Sequence, residues 1–140
     1  MPEASTLRLL VWRAGGMRCA APIDRLREVL PRLDVTRLPD TPRMVRGVAN
    51  VRGELLTVVD GRTVLGLPDD TLPEATVLIR VGRRTVALAV DDVEDLVTVR
   101  DDQLRPVGPG GREGWEARVD DAEPARLVDL DLVLGPLFPD

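Results

Sequence analysis

The chain has 140 residues, 44% of them apolar but only 2% aromatic, and a formal net charge of −5. It is long enough for one compact unit or for two small barrels sharing cores, and its core must be built from Leu, Val, Ala and Ile. The acidic balance argues against a nucleic-acid surface, the absence of His removes the commonest general base and metal ligand, and the single cysteine, Cys19, excludes an internal disulfide.

Leu7 to Ala14 reads as a strand with Leu7, Leu9 and Val11 on one face. Gly15-Gly16 is a hairpin turn signal, and Met17 to Ala21 returns as the partner strand. Pro22 to Leu30 reads as a short helical or extended bridge, with Asp24 as its N-cap and Leu26, Val29 and Leu30 facing inward. Asp34 to Leu38 reads as another short strand, and Pro39-Asp40-Thr41-Pro42 as a loop, because each proline pushes its predecessor into extended conformation. Met44 to Asn50 leads into a sharp corner where Gly47 and Gly53 bracket Asn50 and Arg52. Glu54 to Val59 leaves that corner as a strand apolar on both faces. It ends at Asp60 and runs into a short helical turn closed by Gly66.

Thr76 to Val81 and Thr85 to Val90 form a second hairpin around Gly82, and Val93 to Val99 continues as a strand or bridge. Residues 106 to 114 are a Gly/Pro-rich loop. Arg126 to Leu130 is a final strand, followed by a short helical end that stops at Gly135-Pro136. The two hairpins echo each other. Ile23-Asp24, Leu26 and Glu28-Val29-Leu30 match Val90-Asp91, Val93 and Asp95-Leu96-Val97 at a spacing of 67 residues. Two copies suggest two similar small barrels, with chance similarity between amphipathic hairpins as the alternative.

Little in the chain suggests catalysis. Asp91-Asp92, Glu94-Asp95 and Asp101-Asp102 are acidic, but their spacing is not that of a calcium loop, and the stretch reads as a solvated strand edge. Cys19 has no His to act as its base and reads as a small core residue. Ser5 is the lone serine. The glycines at 108, 110 and 111 precede no lysine and form no P-loop. With no signal peptide and no apolar run near ~18 residues, the chain reads as cytoplasmic, without direct membrane insertion. Glu28 and Arg52 sit among apolar neighbours, where a carboxylate and a guanidinium are tolerated if paired. They either pair with each other or act as independent surface charges.

The run from Arg46 to Leu67 resembles the signature of the CheW-like chemotaxis coupling proteins. Gly47, Asn50, Arg52, Gly53, Val59, Asp60, Leu65 and Gly66 carry that resemblance. PIDRLREVL, TRLPDTP, TVALAVDDVEDLVTV and RLVDLDLVLG extend it over nearly the whole chain. It implies an all-β fold with short helices: two intertwined SH3-like five-stranded β-barrels with exchanged strands, forming a single domain over residues 1–140. It implies a non-enzymatic adaptor, without cofactor or metal, that couples a chemoreceptor cytoplasmic tip to the regulatory domain of a CheA-type histidine kinase at membrane receptor arrays. A divergent module that binds one of these partners, or serves a non-motility pathway, is the alternative.

By positional match, Leu26, Glu28, Arg46, Arg52 and Leu96 would lie near a receptor-binding groove between the barrels, with Glu28 and Arg52 as an ion pair. Gly47, Asn50, Gly53 and Asp60 would form the structural signature. Thr57 stands where the family usually has Pro, and Gly61 where it usually has Leu. These departures imply an altered kinase-facing surface at Thr57 and Gly61.

Overall fold

The computed structural model describes residues 5–68, 72–121 and 123–138. Eleven strands follow in chain order: β1 (Thr6–Ala14), β2 (Met17–Pro22), β3 (Leu26–Pro31), β4 (Val45–Val51), β5 (Glu54–Asp60), β6 (Ala75–Val81), β7 (Arg84–Val90), β8 (Asp92–Arg100), β9 (Leu104–Pro106), β10 (Trp115–Ala117) and β11 (Ala125–Leu127). One short helix, α1 (Leu130–Leu134), follows them. The strands form two sheets. The first has six, in the order β8-β1-β2-β11-β10-β9, and the second has five, in the order β3-β6-β7-β5-β4. The sixth member of the first sheet is the three-residue β9, drawn in by its pairing with β10.

Strand alternation sorts the apolar residues into three cores. Leu9, Val11, Ala20, Val99, Ala117 and Ala125 fill the inner side of the first sheet. Ala49, Leu56, Val58, Leu78, Ala87 and Ala89 fill that of the second. The opposite faces meet in a seam of Leu10, Trp12, Cys19, Ala21, Val77, Ile79, Val86, Leu88 and Val90, closed by Leu130 and Leu134 of α1. Burial pushes the Cys19 thiol up to about 12, which fits its reading as an inert core residue.

The repeat of 67 residues has a structural meaning. In each copy a hairpin is followed by a strand that crosses to the other sheet. β1 and β2 belong to the first sheet, while β3 joins the second beside β6. β6 and β7 belong to the second, while β8 returns to the first beside β1. The pairings repeat as well: Val29 opposes Val77 and Leu96 opposes Leu10; Leu26 opposes Ile79 and Val93 opposes Trp12.

Several local expectations need correction. Asp34 to Leu38 is not a strand; only Thr36 bridges Val48, with hydrogen bonds of 2.8 and 2.9 Å. Asp24 does not cap the bridge. It is exposed inside the 3-10 turn Ile23–Arg25, which follows Pro22 and has no side-chain cap. Val29 is 44% exposed rather than inward, because β3 is an edge strand that outruns its cover. β5 is buried on both faces only at its end, and Leu55 is 70% exposed. The last strand stops at Leu127, because Asp129 caps α1 by accepting from the Leu132 amide at 3.1 Å.

Gly47 shows why the corner needs glycine. Its φ is 144°, and a β-carbon there would stand 2.1 Å from the Thr36 carbonyl oxygen. Gly47→Ala must push the Thr36 segment off β4, and the expected loss is about 2–4 kcal/mol by urea denaturation. A change within ~0.5 kcal/mol would contradict this packing.

Candidate functional site

The hairpin between β4 and β5 turns on two residues, Arg52 and Gly53, both at positive φ (51° and 88°). This is the twist a two-residue hairpin prefers. Asn50 ties the turn down by accepting from the Gly53 amide at 2.9 Å. The left-handed backbone at Arg52 aims its side chain at β3. There Nη1 donates to Glu28 Oε2 at 3.0 Å, and Nη2 donates to Oε1. The bidentate pair holds the Glu28 carboxyl below its ordinary value, chiefly through the hydrogen bonds from Arg52. Glu28 lies on one edge strand of the second sheet and Arg52 at the tip of the hairpin that includes the other edge strand. The pair therefore joins the two sides of that barrel. Of the two readings left open by the sequence, the paired one holds.

Leu26 and Leu96 each adjoin Leu10 of the seam. Leu96 stands opposite Leu10 on β8, and Leu10 lines a small internal gap with Leu26 and Val77. Val77 in turn stands opposite Val29. Leu96 and Val29 are 48% and 44% exposed. Val29 and Leu96 are thus exposed apolar residues at repeat-equivalent positions on the two exchanged strands. The sequence pattern places Val29 inward, whereas it is exposed. Its alignment with Leu96 in the repeat was the available signal.

Arg46 does not join these residues. It lies near the start of β4, while Arg52 follows the strand's end, roughly 20 Å away at ~3.3 Å per residue. Its Nη1 is drawn instead to Asp60 Oδ2 at 2.9 Å. Gly61 is buried rather than part of a surface. A β-carbon there would meet the Ala89 carbonyl oxygen at 2.7 Å, so no leucine fits this backbone as it stands. Thr57 is half-buried and lines a recess on the outer face of β5.

Asp60 is the centre of a buried cluster. Its Oδ1 accepts from the Arg62 amide at 2.9 Å, the Thr63 amide at 3.2 Å and Arg62 Nε at 3.3 Å. Its Oδ2 accepts from Arg62 Nη2 at 3.2 Å. Arg62 is fully buried, and its Nη1 lies 3.6 Å from Asp91 Oδ1. The other Asp91 oxygen accepts from the Gly15 amide at 2.6 Å. Asp91 is thus no solvated edge charge: it clasps the first hairpin to the second sheet. Of the remaining acidic stretch, Glu94 pairs with Arg18 at 2.9 Å. Among the described residues, no group of three or more His, Cys, Asp and Glu gathers to hold a metal ion, and no helix is long and apolar enough to cross a membrane.

A family model for the CheW-like domain matches residues 8–135. The chain belongs to the CheW-like domain family. Within it, the chain is 32% identical over 100 residues to a probable chemotaxis protein CheW of Rhizobium etli, and 33% identical over 100 residues to the chemotaxis protein CheW of Rhizobium meliloti. Each alignment covers 70% of this chain and 64% of the relative, so the chain spans under two thirds of the length of these proteins. The fold is that of a scaffolding protein, TtCheW, from Thermoanaerobacter tengcongensis. Its crystal structure superposes with a TM-score of 0.80 at 18% identity, covering 93% of each chain.

The cluster around Asp60 makes a pH prediction. Burial alone would raise its pKa, but the hydrogen bonds from Arg62, Thr63 and Arg46 outweigh it and lower the value from 3.8 to about 2. A carboxyl depressed on folding adds stability above its unfolded pKa and loses it as pH falls through the folded one. About 2 kcal/mol should therefore disappear between roughly pH 4 and pH 2. Asp60→Asn should remove that share of the pH dependence and cost roughly 3–5 kcal/mol at neutral pH, because the buried Arg62 loses the nearer of its two carboxylates. Urea denaturation across pH checks both. An unchanged acid profile in the variant would exclude Asp60 as the source.

Proposed function

We propose that the protein is a non-enzymatic adaptor that holds a chemoreceptor cytoplasmic tip and the regulatory domain of a CheA-type histidine kinase in fixed relation. Its site of action is the cytoplasm, at membrane receptor arrays, and its described sheets work as one unit. The observation that carries this reading is the partial exposure of Leu26, Val29 and Leu96 beside a closed core, on the two exchanged strands, one in each sheet. Taken together as one apolar edge, they suit an amphipathic helical hairpin that docks by an apolar stripe. Glu28 lies on the same edge strand as Val29, so the Glu28–Arg52 pair presents both charges on the barrel wall beside it. The outer face near Thr57 is assigned to the kinase, with Gly61 shaping the backbone beneath the sheet rather than touching a partner.

The mechanism is geometric. A receptor that changes its packing changes the orientation in which the adaptor presents the kinase, and so shifts the populations of kinase states. No covalent step is needed.

Val29→Glu combined with Leu96→Glu should abolish binding of a receptor-tip hairpin while leaving binding of the kinase regulatory domain within about twofold, by titration calorimetry with each fragment from the same genome. Glu28→Arg and Arg52→Glu should each weaken receptor binding, and the double exchange should restore it. Loss of both partners in the groove variant, or full receptor binding without Val29 and Leu96, would defeat the assignment. A wild-type chain that binds only one fragment would favour the single-partner module.

A further inference from the structure

The outer face of the second sheet runs out beyond the seam. Along β5, Val59 is fully buried, Thr57 is half-buried and Leu55 is 70% exposed. Along β7 the same face carries Leu88, Val86 and then Arg84 at the strand's start. Phe138 packs against the last of the seam, and the Arg84 guanidinium lies 5.8 Å from its ring centroid. Leu55, Thr57, Val86, Arg84 and Phe138 line an open recess of about 480 Å³, which Arg27 and Arg83 complete.

The charge of this recess runs against that of the molecule. Arg27, Arg83 and Arg84 line it against one carboxylate, Glu54, in a chain of net charge −5. No hydrogen bond or ion pair engages Arg27 or Arg83 among the described residues, and Arg84 meets only an aromatic face. What sets these arginines apart is their convergence: three line one recess, whereas Arg25 and Arg105 each face a carboxylate, Asp131 and Glu116. Three cations facing a single carboxylate leave the recess net positive and favour an anionic ligand.

We propose that this recess docks an acidic polypeptide segment carrying one large aliphatic side chain. The aliphatic group would lie against Leu55, Thr57 and Phe138, and the flanking carboxylates against Arg27, Arg83 and Arg84, whose forked donors suit bidentate pairing. Strand addition is not the mode, because β5 is already paired on both sides, to β4 and to β7. Recognition runs through side chains. Leu55, 70% exposed at the rim, gives the segment's aliphatic side chain its contact. An acidic peptide is chosen over a nucleic acid because carboxylates match the forked arginine donors without a base to stack. The recess is separate from the edge of Leu26, Val29 and Leu96 but shares Thr57 with the face assigned to the kinase. The proposal therefore rests on that assignment and names the chemistry of the segment it takes. Loss of kinase-domain binding with the peptide retained would count against the kinase assignment alone.

The test is a nitrogen-15 NMR titration of the full chain with a synthetic peptide of alternating Asp and Glu around one central Leu. The expected result is shift changes centred on Leu55, Thr57 and Thr85, with affinity falling at least about tenfold at high salt. A similar fall is expected in Arg83→Glu/Arg84→Glu, while the Val29→Glu/Leu96→Glu variant retains the peptide. Leu55→Ser, an exposed change that leaves the fold intact, should weaken it as well. The proposal is overturned by no shifts at millimolar peptide, by shifts centred elsewhere, or by equal affinity for the Asn/Gln or Leu-to-Ser form of the peptide. Equal affinity of a single-stranded oligodeoxynucleotide for the same residues would overturn it too.

Discussion

Arg62 is the residue on which the two-sheet arrangement turns. A guanidinium with no exposed surface is tolerated only when its charge and donors are met. Asp60 meets it from the end of β5, and Asp91 from the crossing between β7 and β8. Asp91 in turn accepts the Gly15 amide at the tip of the first hairpin, and its own amide donates to the Arg13 carbonyl at 2.9 Å. The second sheet, the crossing strand and the first sheet are therefore tied at one buried point. The apolar seam supplies most of the driving force, but it is non-directional. The charged clasp fixes which way the sheets face.

The clasp also breaks the symmetry of the repeat. Asp24 is the counterpart of Asp91, yet it is exposed and does not reach the second hairpin. That crossing is secured differently: α1 lays Leu130 and Leu134 into the seam, and Arg25 pairs with Asp131 at 2.9 Å. Two exchanged strands held by two different devices still leave equivalent side chains, Val29 and Leu96, exposed. Under the proposed adaptor reading, a surface that spans both sheets would hold a partner at constant angle only if the sheets do not slide. The buried charges restrict how the sheets can move against each other as well as contributing to stability.

The sequence announced the strands well, because hairpin turns and period-two alternation are local signals. Gly15-Gly16, Gly82, and the Asn50–Gly53 corner fixed most boundaries, and the repeat foretold paired barrels. Errors came where burial depends on distant cover. Val29 and Leu55 are apolar and alternate correctly, yet each sits past the end of whatever would bury it. Asp34 to Leu38 has strand-like composition but only one bridging residue, since Gly47 lets it touch β4 at a single point. Glu28 and Arg52 were readable as a pair from their apolar neighbours. Asp91, Arg62 and Arg46 were not, because a clasp formed across long chain separations has no signature in local spacing, and Asp91 looked like one more acidic edge residue.

The central claim is that Arg62 makes the two sheets one body. Native-state hydrogen exchange on Arg62→Met tests it most directly, since Met keeps the length of the side chain and removes the charge. The account predicts that amides at Leu10–Trp12 in β1 and at Ala87–Ala89 in β7 lose protection together and to the same extent, because both lie in the shared seam. Protection lost in one sheet while the other stays unchanged would contradict it.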